Sequence, residues 1–270
     1  MQNKCCFNAE RALFLCRTSV ISMQDELRFD AERVLYRGGG KGNFMKTLVI
    51  FNHPYGGSYC GAILGAVVKG LKKSGQPYRI INLDQDDFDP VMRAKDLIAF
   101  AGAGRAGKDA LDAIDDQVKR YKTDLEWAEH LVMIFPIWWM TMPAMTKGFV
   151  DKVIFPAIAY NMDQGNLVSR LKVSKVTVIT TMNTPAEVYR DMFNNAIEGS
   201  LINGTFRKIG IEDIRWISLN GVKTVTKEQR IEWLNANEQQ FAEIRWNSNV
   251  YRNPVIGKDV LTSGETANGY

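Results

Sequence analysis

Five short apolar, β-branched runs recur along this chain, at residues 46–51, 78–83, 131–137, 175–181 and 214–219. A stretch long enough for a helix separates each from the next. Apolar runs this short, without strict alternation, read as strands buried on both faces. Strands alternating with helices imply a parallel sheet covered on both sides. Right-handed crossovers then make it doubly wound. The expected architecture is α/β, with strand order 2-1-3-4-5 and the ligand crevice at the carboxyl ends of strands 1 and 3.

The intervening stretches carry helical signals of unequal strength. After the first strand, Ile63, Ala66, Val67, Gly70 and Leu71 share one face of a helix that runs to about Ser74 and stops at Gly75. Further helices are expected over 115–128, over 143–154 with Pro143 just inside the start, and over 185–201. A last helix is expected over 226–245, with Ile231, Leu234, Phe241 and Ile244 facing inward. Residues 91–114 give no clear element. Within them 101–108 (AGAGRAGK) imitates a phosphate loop, but Asp109 stands where Ser or Thr is needed and no strand feeds it. ATP binding is therefore not expected.

Composition narrows the partners. The chain is 46% hydrophobic and 24% charged, with a net charge of +4. Residues 1–44 hold seven Lys/Arg against five Asp/Glu, so half the excess lies there. The remainder is too small and too dispersed to argue for nucleic acid or a membrane surface. Three of the four cysteines (Cys5, Cys6 and Cys16) also lie in that segment, leaving Cys60 alone in the body. With no disulfide framework, no metal-ligand spacing and two histidines, a reducing, cytoplasmic compartment without a metal site is expected. No apolar run is long enough to insert in a membrane.

Residues 1–44 lack sustained periodicity, and order begins at Met45. The codons for Lys41-Gly42 read A-A-purine-G-G, compatible with a bacterial ribosome-binding sequence. Met45 is thus expected to be the natural start, with 1–44 translated upstream sequence. A flexible extension is the alternative. The domain is expected over 45–246, followed by a polar tail over 247–270.

Three loops leave the carboxyl ends of strands 1, 3 and 4. The first, from His53 to Ser58, leads into a helix N-terminus, an arrangement suited to phosphate. It lacks GxGxxG, so a nicotinamide Rossmann site is not indicated. His53 suits phosphate contact, proton transfer or packing in the turn. The second loop carries Trp138 and Trp139, which as neighbours cannot both point into the core. The third adds Thr180, Thr181 and Asn183. A phosphate grip, an aromatic wall and polar partners on one sheet edge together fit a flavin.

Two motifs sharpen this. His53, Ser58 and Tyr59 in IFNHPYGGSYCGAI, and Phe135, Pro136, Trp139, Pro143, Ala144, Lys147 and Gly148 in FPIWWMTMPAMTKGFVDKV, resemble the NAD(P)H:quinone oxidoreductase family. This flavodoxin-like group includes the DT-diaphorases and the potassium-efflux-ancillary flavoproteins. The resemblance spans about residues 45–241. It implies an enzyme that moves two electrons, by hydride transfer, from NADPH or NADH through FAD (FMN being the alternative) to a quinone-like acceptor. It also implies a homodimer.

By the same resemblance His53, Ser58, Tyr59 and Cys60 would hold the flavin phosphate and sugar region. Pro136, Ile137, Trp138 and Trp139 would line the isoalloxazine, with Trp139 in the family's Trp position. Thr180, Thr181, Met182 and Asn183 would bond its edge. Tyr160 would reach the substrate pocket, and Tyr189 would serve a proton relay. Two departures stand out. Met182-Asn183 replaces the family's Gly-Gly, and no histidine follows His130, which is expected at the surface. The rival reading is a flavin-loaded regulatory subunit of a membrane transporter.

Overall fold

The computed structural model describes residues 44–103 and 114–243. The expected tail, nearly all of the expected extension, Ile244, and the phosphate-loop imitation beyond Ala103 lie outside them. The elements are β1 (Thr47–Phe51), α1 (Tyr59–Ser74), β2 (Tyr78–Asn82), α2 (Ala94–Gly102), α3 (Asp116–Trp127), β3 (His130–Pro136) and α4 (Ala144–Val153). They continue with β4 (Tyr160–Asp163), β5 (Asn166–Ser169), β6 (Lys175–Thr181), α5 (Ala186–Phe193), a π-helical segment (Glu198–Phe206), β7 (Asp213–Leu219) and α6 (Lys227–Ala242).

Strands β2-β1-β3-β6-β7 form one parallel sheet in that order. With β4 and β5 set apart as a hairpin, this is the expected 2-1-3-4-5 order. Every residue of β1, β3 and β6 is buried. Alternation within each strand divides the core in two. Val49, Phe51, Val132 and Ile134 face a cluster with Ile63, Val67 and Leu71 of α1 and Phe241 of α6. Leu48, Ile50, Leu131, Met133 and Phe135 face the opposite cluster, with Tyr121 of α3, Phe149 of α4 and Tyr189 of α5.

Local chemistry sets the element ends near the sheet's carboxyl edge. Ser58 caps α1, its hydroxyl accepting from Gly61 N–H at 3.1 Å. At the far end Gly75 (φ 68°) donates back to the carbonyls of the last turn. Pro143 is the N-cap of α4 rather than its first helical residue; its carbonyl accepts the Lys147 N–H at 2.9 Å. Lys152 of α4 is buried, its Nζ 3.7 Å from Asp96 and 3.3 Å from Asp115. It also donates to the Asp89 carbonyl at 3.2 Å, which fixes the segment leading into α2.

Several sequence expectations are corrected. His130 is not a surface residue. It opens β3 at 1% exposure, pairs at 2.8 Å with the Thr177 hydroxyl and stacks on Phe241 at 6.0 Å. The helix expected over 185–201 breaks at Phe193, because Asn194 and Asn195 both take left-handed φ (49° and 46°), and the chain re-forms as a π-helical segment. In α6, Phe241 and Leu234 pack inward as expected, but Ile231 is 45% exposed and Trp233 packs inward in its place. Helix α2 and the β4–β5 hairpin occupy stretches for which no element was expected from the sequence.

Candidate functional site

Strands β1 and β3 are neighbours, so the loops leaving them meet at the sheet edge where the order reverses. The His53 and Trp138 rings make edge-on contact there, with centroids 6.0 Å apart. The first loop is wound tightly onto α1. Ser58 N–H donates to the Tyr55 carbonyl at 3.1 Å, and His53 Nδ1 accepts the Tyr55 N–H at 3.0 Å. A Cβ on Gly61 would sit 2.3 Å from the Gly56 carbonyl oxygen, so this approach needs glycine. The first intrahelical bond runs from Ala62 N–H to the Ser58 carbonyl. The amides of the first turn ahead of it therefore carry the positive end of the helix dipole.

The bond from Tyr55 N–H leaves His53 Nδ1 unprotonated, so the neutral ring carries its proton on Nε2. Burial lowers the His53 pKa from its ordinary value, and the Tyr55 bond and the charge on Asp84 oppose that shift. His53 is thus a neutral donor beside a helix N-terminus at neutral pH.

The second loop follows directly from the apolar strand. Ile137 N–H donates to the Thr181 carbonyl at 2.8 Å, and Trp138 and Thr141 then exchange two backbone bonds of 3.0 and 3.1 Å around Trp139 and Met140. Both central residues have positive φ, 49° and 63°. Trp138 is 45% and Trp139 95% exposed, so neither enters the core. Between this loop and the one after β6 lies a cleft of about 380 Å³. Ile137, Trp138, Trp139 and Met140 line one side, and Met182, Asn183 and Thr184 the other. None of these side chains titrates near neutral pH.

The structure thus brings His53, Ile137, Trp138, Trp139, Met182 and Asn183 to this edge, with Ser58 at the adjoining helix cap. Pro136 ends β3, buried and in register with Thr181. Other expected site residues point elsewhere. The Cys60 thiol is buried at 2% exposure, 3.2 Å from the Thr181 hydroxyl, and burial pushes its pKa up to about 11. Thr180 accepts from the Trp216 indole at 2.9 Å. Tyr59 reaches sideways to donate to the Arg230 carbonyl at 2.8 Å. For Cys60 and Tyr59, the backbone N–H is the group on the helix-terminal side.

Tyr160 begins the β4–β5 hairpin, half-buried against the core, and is not among the cleft-lining residues. Tyr189 is 1% exposed. Its hydroxyl donates to the Met140 carbonyl at 2.9 Å and accepts Ile197 N–H at 3.2 Å, which leaves it no free proton for a relay. Sequence reasoning missed Met140 and Thr184 as cleft residues. A position adjoining a named loop residue was the only signal for either. Among the described residues no His/Cys/Asp/Glu group suits a metal, and no helix is long and apolar enough to cross a membrane.

Residues 45–244 match a family model described as having a flavodoxin-like fold. An uncharacterized NAD(P)H oxidoreductase of Haemophilus influenzae is 24% identical over 188 residues, 69% of this chain and 89% of that protein. An FMN-dependent NADH:quinone oxidoreductase of Ruegeria pomeroyi is 27% identical over 184 residues, 64% of this chain and 87% of that protein. The solved NAD(P)H:quinone oxidoreductase of Methanothermobacter marburgensis shares the fold at a TM-score of 0.65. It is 18% identical and covers 74% of this chain and 96% of that one. With a match spanning most of its length, and the sheet order to go with it, this chain belongs to the flavodoxin-like fold family.

Proposed function

We propose that this protein is a flavin-dependent NAD(P)H oxidoreductase that reduces quinones or similar electrophilic aromatics by two electrons. One observation carries the reading. The sheet's switch point joins a helix N-terminus to an uncharged aromatic cleft, through the contact of His53 with Trp138. The residues fit a flavin. The first-turn amides of α1 and the neutral His53 ring suit its phosphate. Trp138, Trp139 and Ile137 offer apolar surface to a flat ring, and Asn183 and Thr184 offer polar partners to its edge.

When bound, a flavin supplies the redox chemistry, taking a hydride from reduced nicotinamide and passing two electrons to the acceptor. The chain's own part is to bind, orient and exclude water. Its cleft contains no acid or base, so turnover there does not depend on a titrating side chain. The names of the relatives support both the electron donor and the acceptor class. The motif resemblance favours FAD, while the Ruegeria pomeroyi relative is named for FMN. The reading needs only the part that FMN and FAD share. Leu97, Ile98 and Phe100 are exposed on α2, and this apolar surface supports a homodimer.

Anaerobic mixing with NADH or NADPH, followed by a benzoquinone, tests the proposal. Rapid bleaching of the flavin absorbance and its prompt return on adding quinone are expected. A loaded protein that neither donor bleaches would overturn the enzymatic reading. Chromatography of heat-released flavin identifies which flavin is held.

A further inference from the structure

The turn from Trp138 to Thr141 has a conformation its own residues do not favour. Its two crossed backbone bonds and the positive φ at both central positions are the pattern of a type I′ turn. That turn selects Asn-Gly and similar pairs, because other side chains crowd the backbone at positive φ. Here the central pair is Trp139-Met140. Something outside the turn must hold it.

Tyr189 is placed to do so. Its ring is buried and meets Trp216 edge-on at 6.2 Å, and the Trp216 indole is itself bonded to Thr180 at 2.9 Å. Its hydroxyl accepts the Ile197 N–H at 3.2 Å. The remaining hydroxyl proton goes to the Met140 carbonyl at 2.9 Å. The phenol is thus braced by β7 and by the start of the π-helical segment, and it grips the turn at one of its two left-handed residues.

We propose that Tyr189 is a positioning residue whose hydroxyl holds the Trp138–Thr141 turn in its left-handed form and so sets Trp139 at the mouth of the cleft. The flavin reading enters only in saying what the turn serves. This role replaces the proton relay expected for Tyr189 from the family resemblance.

Fluorine NMR of flavin-free protein labelled with 5-fluorotryptophan tests it, with the Trp139 line assigned from Trp139→Phe. In Tyr189→Phe the Trp139 line should shift or broaden. In Tyr189→Phe/Met140→Gly it should return towards its wild-type position, because glycine takes the left-handed conformation without the tether. FMN affinity should fall about five-fold in the single variant, the worth of one neutral hydrogen bond, and recover in the double. If the single variant does not fold and the double does, that is the same rescue. A Trp139 line unmoved in Tyr189→Phe, one moved but not restored by Met140→Gly, or failure of both variants to fold would overturn the proposal. Wild-type protein that binds neither FMN nor FAD would sink the functional reading alone and leave the fluorine comparison to decide the tether.

Discussion

Trp139 is 95% exposed at the tip of a turn that holds two non-glycine residues at positive φ. Left-handed backbone costs roughly 1–2 kcal/mol per ordinary residue. Such strain persists where the surroundings over-determine it, and it clusters at ligand sites. Trp138 instead leans on His53 and is half as exposed. Trp139→Ala should therefore weaken flavin retention more than Trp138→Ala, measured as the flavin dissociation constant of each purified variant. Equal retention in the two would show that Trp139 does not face the ring. The motif containing Trp139 was legible in the sequence, and so were Met182 and the polar Asn183 on the far wall of the cleft. The turn itself was not, because Trp138-Trp139-Met140-Thr141 contains no Gly, Asn, Asp or Pro to announce it. The burial of Cys60, and the sideways reach of Tyr59, were hidden for a different reason. A motif says which residues stand near a site, but the direction of a side chain depends on helix phase and on neighbours far along the chain.

Among elements, the pairing of α1 with α6 matters most to the site, because α1 carries the amides of the proposed phosphate grip. The two helices pack tightly at Gly70, where a Cβ would lie 2.3 Å from the Glu238 carbonyl oxygen and 2.7 Å from the Phe241 Cβ. Gly70→Ala must push α6 away. It should cost about 1–3 kcal/mol in urea unfolding, the usual scale of overpacking. A loss under half a kilocalorie would mean that the contact is looser than described. Strands were the most legible elements, since 175–181 and 131–137 are apolar enough to be buried on both faces and short enough not to be helices. The break after Phe193 was written as Asn194-Asn195, a pair tolerant of left-handed backbone, but an otherwise helical stretch outweighed it. The β4–β5 hairpin turns at Gln164-Gly165, with φ of 48° and 86°. Its strands span four residues each and are largely exposed, so they lack the apolar pattern by which the sheet strands announce themselves.

At the scale of the whole molecule, the doubly wound sheet buries a histidine at its amino edge, opposite the site. The His130 pKa is lowered to about 3, first by burial and then by the charges on Lys175 and Arg215. The folded protein keeps this ring neutral while the unfolded chain protonates it near pH 6.5. Stability is therefore lost progressively as pH falls from 6.5 towards 3, by an amount on the order of a few kcal/mol. The His130→Gln variant should lose less over that interval, as read from paired urea melts. Parallel curves for the two proteins would contradict the account. The exposed apolar residues of α2 make a second global prediction. Ile98→Glu should convert the proposed dimer to monomer in sedimentation, and a wild type already monomeric would refute that part of the proposal.

Everything functional rests on the sheet's switch point holding a flavin. The direct measurement is a titration of the purified protein with FMN and with FAD, followed by the absorbance of the bound ring after gel filtration. One flavin retained per chain is expected, with its visible spectrum shifted from that of free flavin. Protein that emerges colourless after exposure to both would contradict it.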